Sequence, residues 1–242
     1  MENTTNDFKI IIKAKKIPVN INNEIIEYTQ DNTRPNNHLY CEIFFQKTLI
    51  AKGIILDFYK EFEVLKFNGN LFTQIKTFEY HGNEYQSHTK FGNMIYKMKY
   101  LTKPPIEEKT RKLYINEFIS IFNGYINSLK ETHKNLNITY IPSESEVPNN
   151  IANMLCLINE IPLKTIICKN NNLIQSKELK SLSRQTFDKY IMKLNTFNID
   201  DIFILIDDVM GTGASLCETM YKLYNFNKKV NFFFIPVKDV RR

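Results

Sequence analysis

Five consecutive apolar residues, Ile202–Ile206, run straight into an acidic pair, Asp207-Asp208, and then into the small-residue stretch Gly211-Thr212-Gly213-Ala214-Ser215. A strand that is apolar at every position has both faces covered, which is the condition of a strand inside a parallel sheet flanked by helices. The small-residue stretch predicts a tight loop opening a helix, so this segment reads as strand, loop, helix. Carboxylates at the C-terminal end of such a strand lie where open α/β sheets bind ligands. Backbone N–H groups at the start of the following helix suit a phosphate. The acids would repel a bare phosphate, so their natural partners are sugar hydroxyls or a hydrated Mg²⁺.

The rest of the chain divides into two patterns. From Phe8 to about Tyr85, the segments KIIIKAKKIPVNI, LYCEIFF, TLIAKGIILDF, FEVLKF and FTQIKTFEY are β-branched and aromatic, several of them alternating. Asn68-Gly69 and His81-Gly82-Asn83 read as turns. An antiparallel, meander-like β-rich module over residues 1–90 is expected, followed by an α/β domain over 91–242, with the boundary between residues 86 and 105. In the second part, Met94–Tyr100 begins a helical stretch broken by Pro104-Pro105. Leu113, Phe118, Ile121, Phe122, Tyr125 and Leu129 recur at helical steps, predicting one long helix from Glu107 to about His133. A strand at Asn137–Ile141, a helix at Asn149–Asn159, a strand at Leu163–Cys168 and a helix at Ser176–Leu194 follow. After the strand Ile202–Ile206 come a turn from Met210 and a helix to about Tyr224, then a last strand at Val230–Ile235.

Composition removes several classes. With 43% hydrophobic residues, 7 glycines and 8 prolines in 242 residues, collagen-like and linker-like chains are excluded and a packed core is expected. No apolar run is long enough to cross a bilayer, and the opening MENTTNDF has no apolar stretch of a secretory signal. Cysteines at 41, 156, 168 and 217 form no CxxC pair, which suits a reducing cytoplasm. The net charge of +6 is carried mostly by lysine, since arginine occurs only at 34, 111, 184, 241 and 242. That balance tolerates a polyanionic partner without diagnosing one. His38, His81, His88 and His133 have no metal-ligand spacing, and Cys217 reads as helix packing. Tyr80, Tyr85 and Phe91 suit either an acceptor-binding hood or core packing.

The segment Phe203–Ser215 resembles the phosphoribosyl-pyrophosphate (PRPP) motif of the type I phosphoribosyltransferases: four hydrophobic residues, an acidic pair, two hydrophobics and a small-Thr-Gly-x-Ser loop. Gly211 stands where Thr or Ser is usual. The order of elements across residues 88–242 is similar to that family's core, and the nearest likeness within it is to the ComF-like amidophosphoribosyltransferase group. Lys99-Tyr100 looks like that group's Leu-Lys-Tyr element, and Gln175, Leu179 and Arg184 look like parts of its mobile loop. The group's N-terminal zinc-finger cysteines are missing, as is the arginine of its Arg-Gly-Phe-Asn element.

The resemblance implies a type I phosphoribosyltransferase-like parallel sheet, with PRPP as substrate and Mg²⁺ as cofactor. Asp207 and Asp208 would hold the ribose hydroxyls and the metal; Val209, Met210, Gly211, Thr212, Gly213, Ala214 and Ser215 would bind the 5-phosphate. Ser143-Glu144-Ser145 would be the pyrophosphate loop, and Asn170–Arg184 the loop closing over the reacting centre, with Arg184 as a catalytic cation. Glu144 and Glu146 are a poor lining for an anionic leaving group unless Mg²⁺ intervenes or they point away. Lys169, Lys177 and Lys180 are further cations of the same segment, of which Lys177 and Lys180 read better as a solvated face. Two other functions fit the same motif. One is a non-catalytic PRPP or nucleotide sensor. The other is an effector subunit of a larger, protein- or nucleic-acid-containing defence-type assembly.

Overall fold

A computed structural model describes residues 7–19, 21, 25–101, 104–169, 190–193 and 198–240. Its strands are β1 (Phe8–Ala14), β2 (Ile26–Gln30), β3 (Leu39–Phe45), β4 (Thr48–Phe58), β5 (Phe62–Phe67), β6 (Asn70–Ile75), β7 (Thr77–Tyr80), β8 (Asn83–Gln86), β9 (Leu136–Tyr140), β10 (Ile167–Lys169), β11 (Tyr190–Met192), β12 (Ile202–Ile206), β13 (Val209–Met210) and β14 (Asn231–Lys238). The helices are α1 (Lys90–Lys99), α2 (Glu108–Thr132), α3 (Val147–Asn159) and α4 (Ala214–Asn227). None of the helices in the described residues is long and apolar enough to cross a membrane.

One large mixed sheet organises the molecule, in the order β2-β1-β3-β4-β14-β12-β9, with β13 alongside the end of β14. β4, β14, β12 and β9 run parallel, in registers such as Phe233 opposite Gly53 and Ile204 opposite both Phe232 and Ile138. β3 is antiparallel to both β4 and β1, and β2 is parallel to β1. The central strands are apolar throughout because both faces are covered. On one side α1, α2 and α3 bury Ile95, Phe118, Phe122, Ile151 and Leu155 against Ile204, Ile206 and Phe234. On the other, α4 buries Leu216, Cys217, Met220 and Leu223 with Phe203, Leu205, Phe233 and the strand residues Ile10, Ile12 and Ile43.

Several expectations change. The strands of the first 58 residues do not form a sheet of their own, because β4 pairs with β14 over Asn231–Lys238 and so continues the parallel sheet. β14 sits at the centre of the sheet and needs a strand on each side; the alternation in the sequence shows that β4 is a strand but not whom it pairs with. The segment Leu163–Cys168 is not one parallel strand: Leu163 makes a lone parallel bridge to Ile138, and β10 turns away to pair antiparallel with β11. Tyr190–Met192 is therefore strand, not the end of a helix; most of the expected helix Ser176–Leu194, and all of Gln175, Lys177, Leu179, Lys180 and Arg184, lie outside the described residues. Along α2 the buried stripe is Ile115, Phe118, Ile119, Phe122 and Ile126, and Leu113 is exposed. The strand β2 is an addition to the elements read from the sequence.

Asn68-Gly69 and His81-Gly82 do turn the chain, all four residues with positive φ, giving the hairpins β5–β6 and β7–β8. Tyr80 and Tyr85 stand exposed on the second hairpin, whereas Phe91 packs on Phe118.

Candidate functional site

The position of the site follows from the chain path. β9 is followed by α3 on one face of the sheet, and its neighbour β12 is followed by α4 on the other. Successive crossovers leaving in opposite directions open a crevice at the C-terminal ends of the two strands. The loops entering it are Ile141–Glu146 after β9 and Asp207–Gly213 after β12, which carry the two clusters of predicted site residues.

At the first of these ends, Asp208 is only 3% exposed and heavily engaged. Lys99 Nζ donates to both of its oxygens, at 2.9 and 2.8 Å. Ser145 Oγ donates to Oδ2 at 2.7 Å, and Ser143 Oγ lies 3.2 Å from the same oxygen. The two hydroxyls are themselves 3.0 Å apart, and Ser143 Oγ also accepts from the Ser145 N–H at 3.4 Å. Each hydroxyl has one proton, so Ser143 gives its own either to Asp208 or to Ser145. Asp208 thus receives three or four hydrogen bonds, close to the capacity of a carboxylate. The loop alternates, with Ser143 and Ser145 half-buried against Asp208 while Glu144 and Glu146 are exposed to solvent. Asp207 is half-buried and takes the backbone N–H of Asp208 at 2.8 Å.

Lys99 was the site residue hardest to place from its sequence context. Thr89 caps α1, accepting from the Gly92 N–H at 3.0 Å and donating to the Phe58 carbonyl at the end of β4. Gly92 then passes so close to the Tyr59 carbonyl that a Cβ would stand 1.9 Å from that oxygen. With its start fixed there, the helix delivers Lys99 from its last turn. Burial of Lys99 works against its charge, but the Asp208 carboxylate outweighs it and the ammonium pKa is raised above its ordinary value.

The second end is the loop before α4. Val209 and Met210 form β13; Met210 is buried in the core, so its contribution is structural. Thr212 is exposed, and Gly211, Ala214 and Ser215 are half-buried. Gly213 has φ of +85°, and a Cβ there would lie 2.5 Å from Ile10 Cδ1, so β1 forms the floor of the loop. Lys238, 2% exposed at the end of β14, donates to the Gly211 carbonyl at 2.8 Å. A trans peptide holds its C=O and N–H on opposite sides, so drawing this carbonyl inward turns the Thr212 N–H outward. The first-turn N–H groups of α4 have no carbonyl within the helix to bind and add to this donor surface.

Tyr190, arriving on β11, hydrogen bonds Ser215, and its own backbone is held by Glu218 at 3.1 Å and Lys222 at 2.6 Å. Cys217, one turn into α4, is buried, and burial pushes its thiol up to about 12, so it is packing and not a nucleophile. Beside α1, His88 Nε2 accepts from the Lys60 ammonium at 2.8 Å, and its ring lies against those of Tyr59 and Tyr96. His38 bonds the Tyr125 hydroxyl at 2.7 Å. A separate concavity on the hairpins is lined by Gln74, Ile75, Thr77, Glu84, Tyr85 and Gln86; of the residues singled out in the sequence it includes only Tyr85.

Among the described residues no three His, Cys, Asp or Glu side chains converge as a metal cage. Mg²⁺ in phosphate sites is usually held by one or two carboxylates and the ligand's own oxygens. The donors here fit that pattern through Asp207, because the oxygens of Asp208 are taken by Lys99 and the serines. No protein-family model matches the chain, and no curated protein matches it.

Proposed function

We propose that this chain binds PRPP or a closely related ribose 5-phosphate ligand and acts as a phosphoribosyltransferase toward an unidentified acceptor. The observation that carries the reading is the meeting of Ser143 and Ser145 with Asp208, residues 65 and 63 positions apart in the chain, at the crevice between β9 and β12. The residues that resemble the pyrophosphate loop and those that resemble the ribose-phosphate motif belong to one site. In this reading the N–H groups of Gly211–Ser215 take the 5-phosphate, Asp207 takes a ribose hydroxyl, and the 143–145 loop borders the diphosphate.

Transfer would form a bond from an acceptor lone pair to C1 of the ribose as the C1–O bond breaks, its electron pair leaving on pyrophosphate. The positive charge that develops on the ring would be offset by the Asp207 carboxylate, and the negative charge on the leaving group by Lys99 and the serine hydroxyls. Mg²⁺, when bound with the ligand, would neutralise diphosphate charge, with Asp207 as its protein carboxylate. A second reading, a sensor that binds without turnover, is favoured by one feature: Asp208 is already saturated by the protein's own groups. Isothermal titration of PRPP with Mg²⁺ tests both. Wild type is expected to bind, and the Asp207→Ala/Asp208→Ala variant to lose binding. No binding by folded wild type contradicts the ribose-phosphate site, and binding without pyrophosphate release across an acceptor screen favours the sensor.

A further inference from the structure

The loop after β9 brings hydroxyls and solvent-facing acids but no cation, although a ligand with a diphosphate arm puts its highest negative charge there. The cation at that place comes from another element. Lys99 Nζ has three N–H donors. Two go to Asp208, and among the described residues the third has no hydrogen-bond acceptor, the Tyr100 ring lying 6.0 Å from Nζ. Its side chain is 24% exposed, and its ammonium is anchored by a carboxylate that is almost fully buried. The Ser143 and Ser145 hydroxyls meet Oδ2 of the same carboxylate, beside the ammonium. The 5-phosphate end of the site has its own donors, in the Gly211–Ser215 loop over Lys238.

We propose that Lys99 is the cation that binds the diphosphate arm of the ligand. This rests on the ribose-phosphate reading above and extends it to the polarity of the site: α1 serves the diphosphate end and α4 the 5-phosphate end. Asp208 then acts as the counter-ion that fixes Lys99, so the diphosphate meets an ammonium already oriented and already stripped of much of its water.

The test separates the two ends by using inorganic pyrophosphate and ribose 5-phosphate as individual probes, each titrated with Mg²⁺ into wild type, Lys99→Gln and Lys99→Arg. Wild type is expected to bind both. Lys99→Gln is expected to weaken pyrophosphate by about tenfold or more, the loss of one charged hydrogen bond, while ribose 5-phosphate changes by less than about threefold. Lys99→Arg is expected to recover most of the pyrophosphate affinity. Equal weakening of both probes, or no change in pyrophosphate binding, overturns the assignment of Lys99 and leaves the ribose-phosphate reading standing. Folded wild type that binds neither probe overturns both.

A measurement on wild type alone covers the case in which Lys99→Gln does not fold. Acetylation of Lys99 by a soluble reagent, followed by mass spectrometry, is expected to be slowed by pyrophosphate and not by ribose 5-phosphate. Unchanged labelling under saturating pyrophosphate overturns the proposal.

Discussion

Asp208 shows how much of this site is decided by single side chains. A carboxylate this deep is costly unless its charge is matched, and the match is an ammonium from a residue 109 positions away. Removing Lys99 alone strands the charge. Lys99→Met is therefore expected to lower the unfolding free energy by about 3 kcal/mol, and Lys99→Met/Asp208→Asn to recover a large part of that loss; urea unfolding of the single and double variants measures it. His88 gives a pH dependence of definite sign. Burial, then the neighbouring Lys60, holds its pKa below the ordinary 6.5. A depressed value means that the unfolded chain takes up the proton first. The contribution of neutral His88 is thus present above pH 6.5 and lost as pH falls through its lower folded value. His38, also lowered by burial, acts in the same direction. Stability is expected to drop as pH falls from neutral through the ordinary histidine value and below it, with a smaller drop in His88→Asn, as thermal unfolding across pH would show.

Among the elements, α1 and the loop before α4 are placed by close contacts. Gly92 lets α1 lie against the Tyr59 carbonyl, and any side chain there must push the helix away. Gly92→Val is expected to displace Lys99 from Asp208, costing about 1–3 kcal/mol by overpacking and weakening pyrophosphate binding along with it. At the other end, Lys238→Met removes the group that draws the Gly211 carbonyl inward. It is expected to weaken ribose 5-phosphate by about tenfold, the worth of one charged hydrogen bond, with pyrophosphate little affected. Titration of both probes checks each variant. The helices α2, α3 and α4 were readable because their apolar residues repeat at the helical period, and the strand β12 because it is a short, continuous apolar run. The serines and the acid pair were readable as separate pieces from the motif they resemble. Lys99 was noticed in the sequence but not assigned to the site, because nothing local says where the end of α1 will point. Lys238 carried no signal at all: it closes an apolar strand and reads as the first solvent residue after it.

At the scale of the molecule, the expected division at residues 86–105 is bridged by the central sheet. β14 is flanked by β12 and β4, and β1 carries Ile10 beneath the Gly211–Ser215 loop. A fragment spanning residues 91–242 would expose the β4 side of β14 and remove that floor. It is expected to be unfolded or aggregated by circular dichroism and sedimentation, whereas two independent domains would leave it folded. The sequence showed strands in both halves because alternation is local. Pairing across 180 residues is a property of the assembled sheet, and no pattern within either strand encodes it.

The central claim is that the loops after β9 and β12, with the end of α1, form one ribose-phosphate site. An amide-resolved NMR titration with PRPP and Mg²⁺ tests it most directly. The account predicts saturable shifts at Ser143–Ser145, Asp207–Asp208 and Gly211–Ser215 with a single midpoint, and little change on the hairpins β5–β6 and β7–β8. Shifts confined to one loop, shifts centred on the hairpins, or no saturable shift would contradict it.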